Sequence, residues 1–508
     1  MGIFVGIGNY IGRVRQIGGG GQPIGPDDYY IITEDEIAVL TERGKHILLD
    51  KYVTEDEIAA WVKEHMVFWY DMSKPINLYM SGVTYANQFI NDGGKLSYDT
   101  TINKCTITHT PTSANKNFWQ IQCNTSSTID SYKIKVTGLP QGFSIESGIY
   151  LTKITSDGEY DIASYTNTGT STRYPGFYLA GDNISDVDCN IVVEEIPTRQ
   201  SVPTNEILKA NPYLQDFSGN NRPLKLNNFL FAAMSGVGGY DISSTNILPD
   251  RAVVTVTDNR IIHITSKLST TNNMVNIVPS NSTPTHKFKV TGLQDGRQVS
   301  LVNRMWGFYT FDNGEHEVTL SYPEGTESLY NAIGVTGDAG DMDVTIEFIP
   351  KYPNALVTDG VDDYGQVQNL QHGVKMLFVT TNPFVDGKFI YDQRLNTAEP
   401  WLFAVFNDKG SIAYNSRNSN GKTYIDGVLN ESTRVSALLN KKQIITITND
   451  DVVDDKTKSP VFFSNSDHTS GWISSAFYNS IGFDAVPEGN VTLQRVIDYV
   501  INNILNKA

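Results

Sequence analysis

The 508-residue chain has only three cysteines, Cys105, Cys123 and Cys189. Their number is odd and their spacing fits no metal-ligand pattern, so free buried thiols are expected ahead of a disulfide framework or a zinc site, although a Cys105–Cys123 bridge is conceivable. Basic charge is scarce too: 39 Lys and Arg stand against 56 Asp and Glu, a net charge of −17. Binding to nucleic acid or to an anionic bilayer needs clustered cations, so neither partner is expected. No stretch supplies the roughly 18 apolar residues of a membrane span, and MGIFVGIGNYIGRVR has no continuous apolar core of a secretion signal. Exposure outside a cell would then follow from assembly into a particle or from lysis. No HExxH, GxSxG or P-loop Lys-Ser/Thr occurs, and the eight histidines are scattered. The chain therefore reads as a non-enzyme with no catalytic residue to name. Carboxylate pairs such as a glycosidase needs are too easily found among 56 acidic residues to carry weight.

What the chain does have is 42 Gly, 26 Tyr and 22 Phe, a mixture of turn formers and strand formers that predicts a mainly β protein. Its length predicts three or four domains. Residues 1–28 form a Gly-rich arm with no core of its own, read as a particle anchor through Tyr10, Arg13 and Arg15. Residues 29–75 follow as a small helical domain. Both Thr33 and Thr54 open the sequence TEDEI, and Glu36 or Glu57 three residues on completes a capping box. Gly44 is a plausible stop for the first helix, and Ile58, Trp61, Val62 and His65 give the second its helical spacing.

From about residue 76 the pattern becomes one of short alternating runs broken by Gly, Asn, Ser and Pro, and it repeats. YKIKVTGLPQGFSI from Tyr132 matches HKFKVTGLQDGRQVSL from His286. DGEYDI from Asp157 matches NGEHEV from Asn313, and DCNIVVEEIP from Asp188 matches MDVTIEFIP from Met342. The order is preserved at an offset of about 155 residues, which predicts two copies of one β-sandwich, at 76–200 and 251–353, acting as a spacer or stack. Residues 201–250 read as a connecting segment, and the glycines Gly236, Gly238 and Gly239 in it as a turn. Residues 354–508 show strand runs at the spacing of a jelly roll, then a terminal helix. The helix stripe Leu493, Val496, Ile497, Val500, Ile501, Ile504 and Leu505 would pack back on the sandwich or join copies of the chain.

DGVDDY at Asp359–Tyr364, YIDGV at Tyr424–Val428 and the closing AFYNSIGFDAVPEGNVTLQRVIDYV together resemble the laminin-G/concanavalin-A-like domain found in secreted and phage proteins of Bacteroidetes. The upstream NPYLQDFSGN and NNFLFAAMSGVGGY resemble a segment of virion proteins of Bacteroides-infecting, crAss-like phages. The resemblance implies a concanavalin-A-like jelly roll from about Leu356 and a virion structural protein, a head or tail fibre or a capsid decoration. Such a subunit would be assembled in the bacterial cytoplasm and located at the particle surface. Its partners would be capsid, portal or tail proteins and host surface glycans, and the chain would be a homo-oligomer such as a trimer, although no long heptad run marks one. The alternatives are a purely structural decoration protein and, less favoured, a polysaccharide depolymerase.

Two kinds of site follow. Sugar binding needs an aromatic face beside polar groups, which selects Trp472 and Trp306, with Trp401 read as core. Trp472 follows the polar loop Ser464–Gly471 and is expected at a rim. Three acidic runs, holding Asp182, Asp186 and Asp188, Asp338, Asp341 and Asp343, and Asp359, Asp362 and Asp363, offer the hard oxygens that Ca²⁺ takes. Asp in Gly-rich turns ordinarily serves the local backbone. The set Asp359, Asp362 and Asp363 is the best of the three, and no other cofactor is expected.

Overall fold

The computed structural model describes residues 53–505, apart from short internal stretches of which the longest are 244–251, 278–284, 320–330, 395–402 and 414–420, together with the strands Ala38–Leu40 and His46–Leu48. The protein is mainly β and is organised as three two-sheet sandwiches whose strands pair antiparallel.

The first two sandwiches match strand for strand in their pairs of five-stranded sheets. In the first, one sheet runs Gly158–Ile162, Tyr132–Thr137, Asp188–Ile196, Lys104–His109, Lys95–Asp99. In the second, the corresponding sheet runs Gly314–Thr319, Thr285–Thr291, Gly340–Phe348, Ile261–Lys267, Ala252–Thr257. The facing five-stranded sheets correspond in the same way. Strand period dictates this layout. Tyr132, Ile134 and Val136 alternate with lysines and are buried, and His286, Phe288 and Val290 take the same places in the second copy. The outward lysines meet carboxylates on the neighbouring strands, Lys133 with Asp161 at 3.6 Å and Lys287 with Glu317 at 2.9 Å. The shared VTG glycine is also explained. Gly138 and Gly292 have φ of +75° and +85°, and a Cβ at either would overlap the carbonyl oxygen of Asn190 or Asp343. All three cysteines are free thiols, and burial raises the Cys105 thiol far above its ordinary range.

The third sandwich is built from three separated parts of the chain. One of its sheets runs Gly236–Val237, Leu356–Asp359, Ser474–Phe483, Met376–Pro383, Gln443–Thr448, Lys422–Ile425, Val428–Asn430, and Met66–Asp71 also pairs with Ser474–Phe483. The facing sheet begins Tyr213–Leu214, Leu224–Asn227, Tyr364–Val367. Residues 66–71, expected within a helical domain, and residues 213–237, expected as a connector, are therefore strands of this sandwich. The run MVFWYD is apolar on both faces, and periodicity alone cannot separate such a run from a buried helix. Its Val, Phe, Trp and Tyr favour the pleated surface of a sheet. The residues that follow the first TEDEI also differ from expectation, the TEDEI itself lying outside the described residues. Ala38–Leu40 and His46–Leu48 pair as a two-stranded ladder in place of a helix.

The second TEDEI segment does form a helix, Glu55–His65, with both hydrogen bonds of the capping box. The terminal helix Leu493–Val500 and its π-helical extension Ile501–Leu505 pack back on the sheet. Val496, Ile497, Val500 and Leu505 cluster with Ile58 and Val62 of the first helix and with Met376, Phe378, Ile481 and Phe483 of the strands.

Each duplicated sandwich leaves the third and returns to it at adjacent strands. The first does so at the ladder Ile76–Leu78 with Arg199–Ser201, and the second at Gly236–Val237 with Leu356–Asp359. Asn205, 3% exposed, fastens the second neck: its Oδ1 accepts from the Val237 N–H at 2.7 Å and its own N–H donates to Asp258 Oδ1 at 2.8 Å. A Cβ at Gly236 would strike that same Oδ1, which explains the glycine.

Two outcomes are expected. A fragment starting at Pro353 lacks Met66–Asp71 and Leu224–Asn227, so it should show no cooperative melting when expressed alone, whereas the full chain should. His286 is buried against Phe348 with neither ring nitrogen partnered, and burial lowers its pKa to about 4 from 6.5. The unfolded chain then binds the proton first, so stability falls as pH drops from about 6.5 to about 4, by roughly 3 kcal/mol in total. Denaturant titrations of His286→Phe should lose that slope.

Candidate functional site at a rim of the third sandwich

The pairing of Leu356–Asp359 with Ser474–Phe483 puts Asp359 opposite Ser474. The turn after Asp359 and the residues just before Ser474, Trp472 among them, therefore share one end of the sheet. Trp472 is half-buried, and its indole N–H is shielded from solvent without a hydrogen-bond partner. Trp472 lies two residues before the start of the strand Ser474–Phe483.

The acidic turn is tightly organised. Gly360 has φ of +78°, Asp359 Oδ1 accepts from the Val361 N–H at 2.7 Å, and Asp363 Oδ2 accepts from the Asp359 N–H at 3.0 Å. Ser235 Oγ donates to Asp363 Oδ1 at 2.8 Å and accepts from the Leu230 N–H at 3.0 Å. Asn228 Nδ2 donates to the Asp362 carbonyl at 3.2 Å. The segment expected as a connector thus forms one wall of the rim. Val361 and Leu230 are each 65% exposed there, which adds an apolar element to an acidic end. Nothing in the local sequence around Asn228, Leu230 and Ser235 signals this role, because it depends on strand pairing more than 120 residues away in the chain.

Asp363 is buried. Its carboxyl is pushed up to about 7, first by desolvation and then by the nearby negative charges of Asp359 and Asp362, against the opposing hydrogen bonds from the Asp359 amide and Ser235. Carboxylate oxygens of Asp359, Asp362 and Asp363 lie within 4.8 Å of one another, and this is the only such acidic, His or Cys group among the described residues. An all-oxygen set of this kind fits Ca²⁺ rather than a softer metal. A cation there would offset both the desolvation and the repulsion from Asp359 and Asp362, and so favour the ionised form of Asp363.

The other sequence candidates distribute differently. Trp306, Trp401, Tyr10, Arg13, Arg15, Asp182 and Asp186 lie outside the described residues. Asp188 is exposed, 3.0 Å from His109 Nδ1, and Asp343 lies 2.6 Å from His263 Nε2. Asp338 and Asp341 sit with Asp343 in an exposed stretch around Gly340.

No protein-family model matches the chain, and no curated protein matches it. Among solved structures, it is similar at a TM-score of 0.11 and 7% identity to a salicylate 1,2-dioxygenase from Pseudaminobacter salicylatoxidans, over 59% of this chain and 90% of that one. A likeness of that size carries no argument about fold or chemistry.

The rim geometry gives a metal test. Because the pKa of Asp363 is raised from 3.8 to about 7, the turn loses stability as pH rises through that interval, and a bound cation restores it. Calcium chloride should raise the melting temperature more at pH 8 than at pH 5, and the double substitution Asp359→Asn, Asp362→Asn should abolish the difference in differential scanning fluorimetry.

Proposed function

We propose that this chain is a non-catalytic structural subunit of a bacteriophage particle, a fibre or surface appendage that displays its third sandwich for attachment to host glycans. The reading rests on the resemblance of residues 356–508 to lectin-like domains and of the 211–241 segment to crAss-like phage virion proteins. One observation carries the binding part. Strand pairing gathers an aromatic residue, Trp472, and three carboxylates at a single end of a jelly roll. An aromatic face offers a surface on which a sugar ring stacks, and a Ca²⁺ held by carboxylates offers coordination positions to hydroxyl oxygens.

In this proposal the Gly-rich arm with Tyr10, Arg13 and Arg15 contacts other virion subunits, and several copies of the chain act together. Many weak contacts on one particle then give an avidity that a single site lacks. A net charge of −17 agrees with a ligand that is neither nucleic acid nor an anionic membrane.

The full chain, multimerised on beads, should retain host capsular polysaccharide in the presence of Ca²⁺, and Trp472→Ala should weaken retention by about tenfold, equal to about 1.4 kcal/mol. Binding that survives this substitution would move the contact away from the rim. Absence of binding across a broad polysaccharide panel would favour a purely structural decoration subunit, and release of oligosaccharides would favour a depolymerase.

A further inference from the structure

The duplication lets each strand edge be compared with its counterpart, and at one edge the two copies differ. In the first sandwich the edge strand Lys95–Asp99 pairs with Lys104–His109, with Lys95 opposite His109 and Leu96 opposite Ile107, so that Thr108 is left over as a bulge. In the second, Ala252–Thr257 pairs with Ile261–Lys267 in the same irregular way, with Val253 opposite Ser266, Val254 opposite Ile264 and Thr265 left over. The shared bulge fixes the correspondence: Lys95 with Val253, Ser97 with Thr255, Tyr98 with Val256 and Asp99 with Thr257. Both charges and the ring of the first edge are thus replaced by Val and Thr in the second.

Charged side chains on an edge strand are the ordinary defence against pairing with another chain. In the first sandwich Tyr98 also closes the side of the core, T-shaped against Trp119 at 6.2 Å between ring centres and with its hydroxyl donating to Asn103 Oδ1 at 2.8 Å. In the second, Val254 and Val256 are only partly buried against the core, Val253 is 49% exposed, and Thr255 and Thr257 are exposed. The strand alternates without interruption, because the bulge lies in its neighbour, and five of its six residues are β-branched. Among the described residues no strand pairs with its other edge. The remaining edges of five or more residues in the two sandwiches are different. Gly158–Ile162 exposes Glu159 and Asp161, and Gly314–Thr319 exposes Glu315 and Glu317. Gly307–Phe311 is uncharged, but it opens on a glycine, which weakens a strand, and runs straight into Asp312.

We infer that Ala252–Thr257 is a self-association edge: the same strand of a second copy of this chain pairs with it antiparallel about a two-fold axis, joining their five-stranded sheets into one continuous sheet. Charge selects this occupant. At −17, copies of the chain repel one another, and antiparallel self-pairing of either acidic edge would set carboxylates against their own counterparts. Self-pairing of Ala252–Thr257 opposes only Ala, Val and Thr, and the added strand completes the burial of Val254 and Val256. An edge without charge offers nothing by which an acidic or basic strand of another protein would be preferred. A contact of one short strand per copy is small and therefore weak, and it brings two third sandwiches onto one assembly. It does not depend on the attachment role proposed above.

The test is sedimentation equilibrium of the full chain. Its mass is expected to double with a dissociation constant on the order of 10 μM. Thr255→Lys and Thr255→Glu each place like charges about the two-fold axis and should weaken association at least about tenfold, with the melting temperature unchanged because Thr255 is exposed. Val253→Lys, which restores the residue type of the first sandwich, should act in the same way. An equimolar mixture of Thr255→Lys and Thr255→Glu should recover association, and Ser97→Lys, at the corresponding place in the first sandwich, should leave it unaltered. A chain that remains monomeric at about 200 μM overturns the inference, as does association that the Thr255 and Val253 substitutions leave intact or that Ser97→Lys weakens equally. Loss of association in both Thr255 variants without recovery in their mixture overturns the two-fold pairing as well, since it puts Thr255 against some other surface.

Discussion

The strand Ser474–Phe483 is the constraint on which the rest of the protein depends. Met376–Pro383 pairs with one of its edges, and Met66–Asp71 and Leu356–Asp359 share the other. It buries Phe477 in the space between the sheets, and Ile481 and Phe483 beneath the two helices. Because this late strand takes its partners from residues 66–71, 356–359 and 376–383, the third sandwich cannot close until nearly all of the chain has been made. Its many long-range pairings imply a high contact order and slow folding, whereas each duplicated sandwich is contiguous in sequence and local in its pairing.

The same strand places the chemistry. Its start fixes Trp472 beside the acidic turn. The acidic turn therefore hangs from the ends of paired strands and is fixed by its own hydrogen bonds, so its oxygens are held in place before any ligand arrives.

Much of this was legible in the sequence where local pattern and structure obey the same rule. The alternation in YKIKV and HKFKV, the VTG glycine with positive φ, and the capping box from Thr54 to Glu57 each have a local physical cause. Asp359, Asp362 and Asp363 were legible for the same reason, since a Gly-rich acidic turn advertises itself. What escaped was assembly at a distance. MVFWYD continues a helix without a stop signal, and only pairing with Ser474–Phe483 reveals a strand. Asn205 and Ser235 are unremarkable polar residues in sequence, and they acquire roles from partners that the fold brings to them. The second TEDEI became a helix because a hydrophobic sheet face waited for Ile58 and Val62, so a shared cap does not by itself secure a shared structure.

The two necks have a consequence for change over time. An excursion that leaves and re-enters through neighbouring hydrogen-bonded strands has its ends already held together, so its length adds little loop-closure entropy to the host. Either duplicated sandwich could be lost, doubled or exchanged for a foreign domain while the host core stays closed. Asn205 marks the exception, because it ties the second insert to its neck and would have to be matched by any replacement. The third sandwich is in this sense a socket, and the repeated domains are interchangeable fittings.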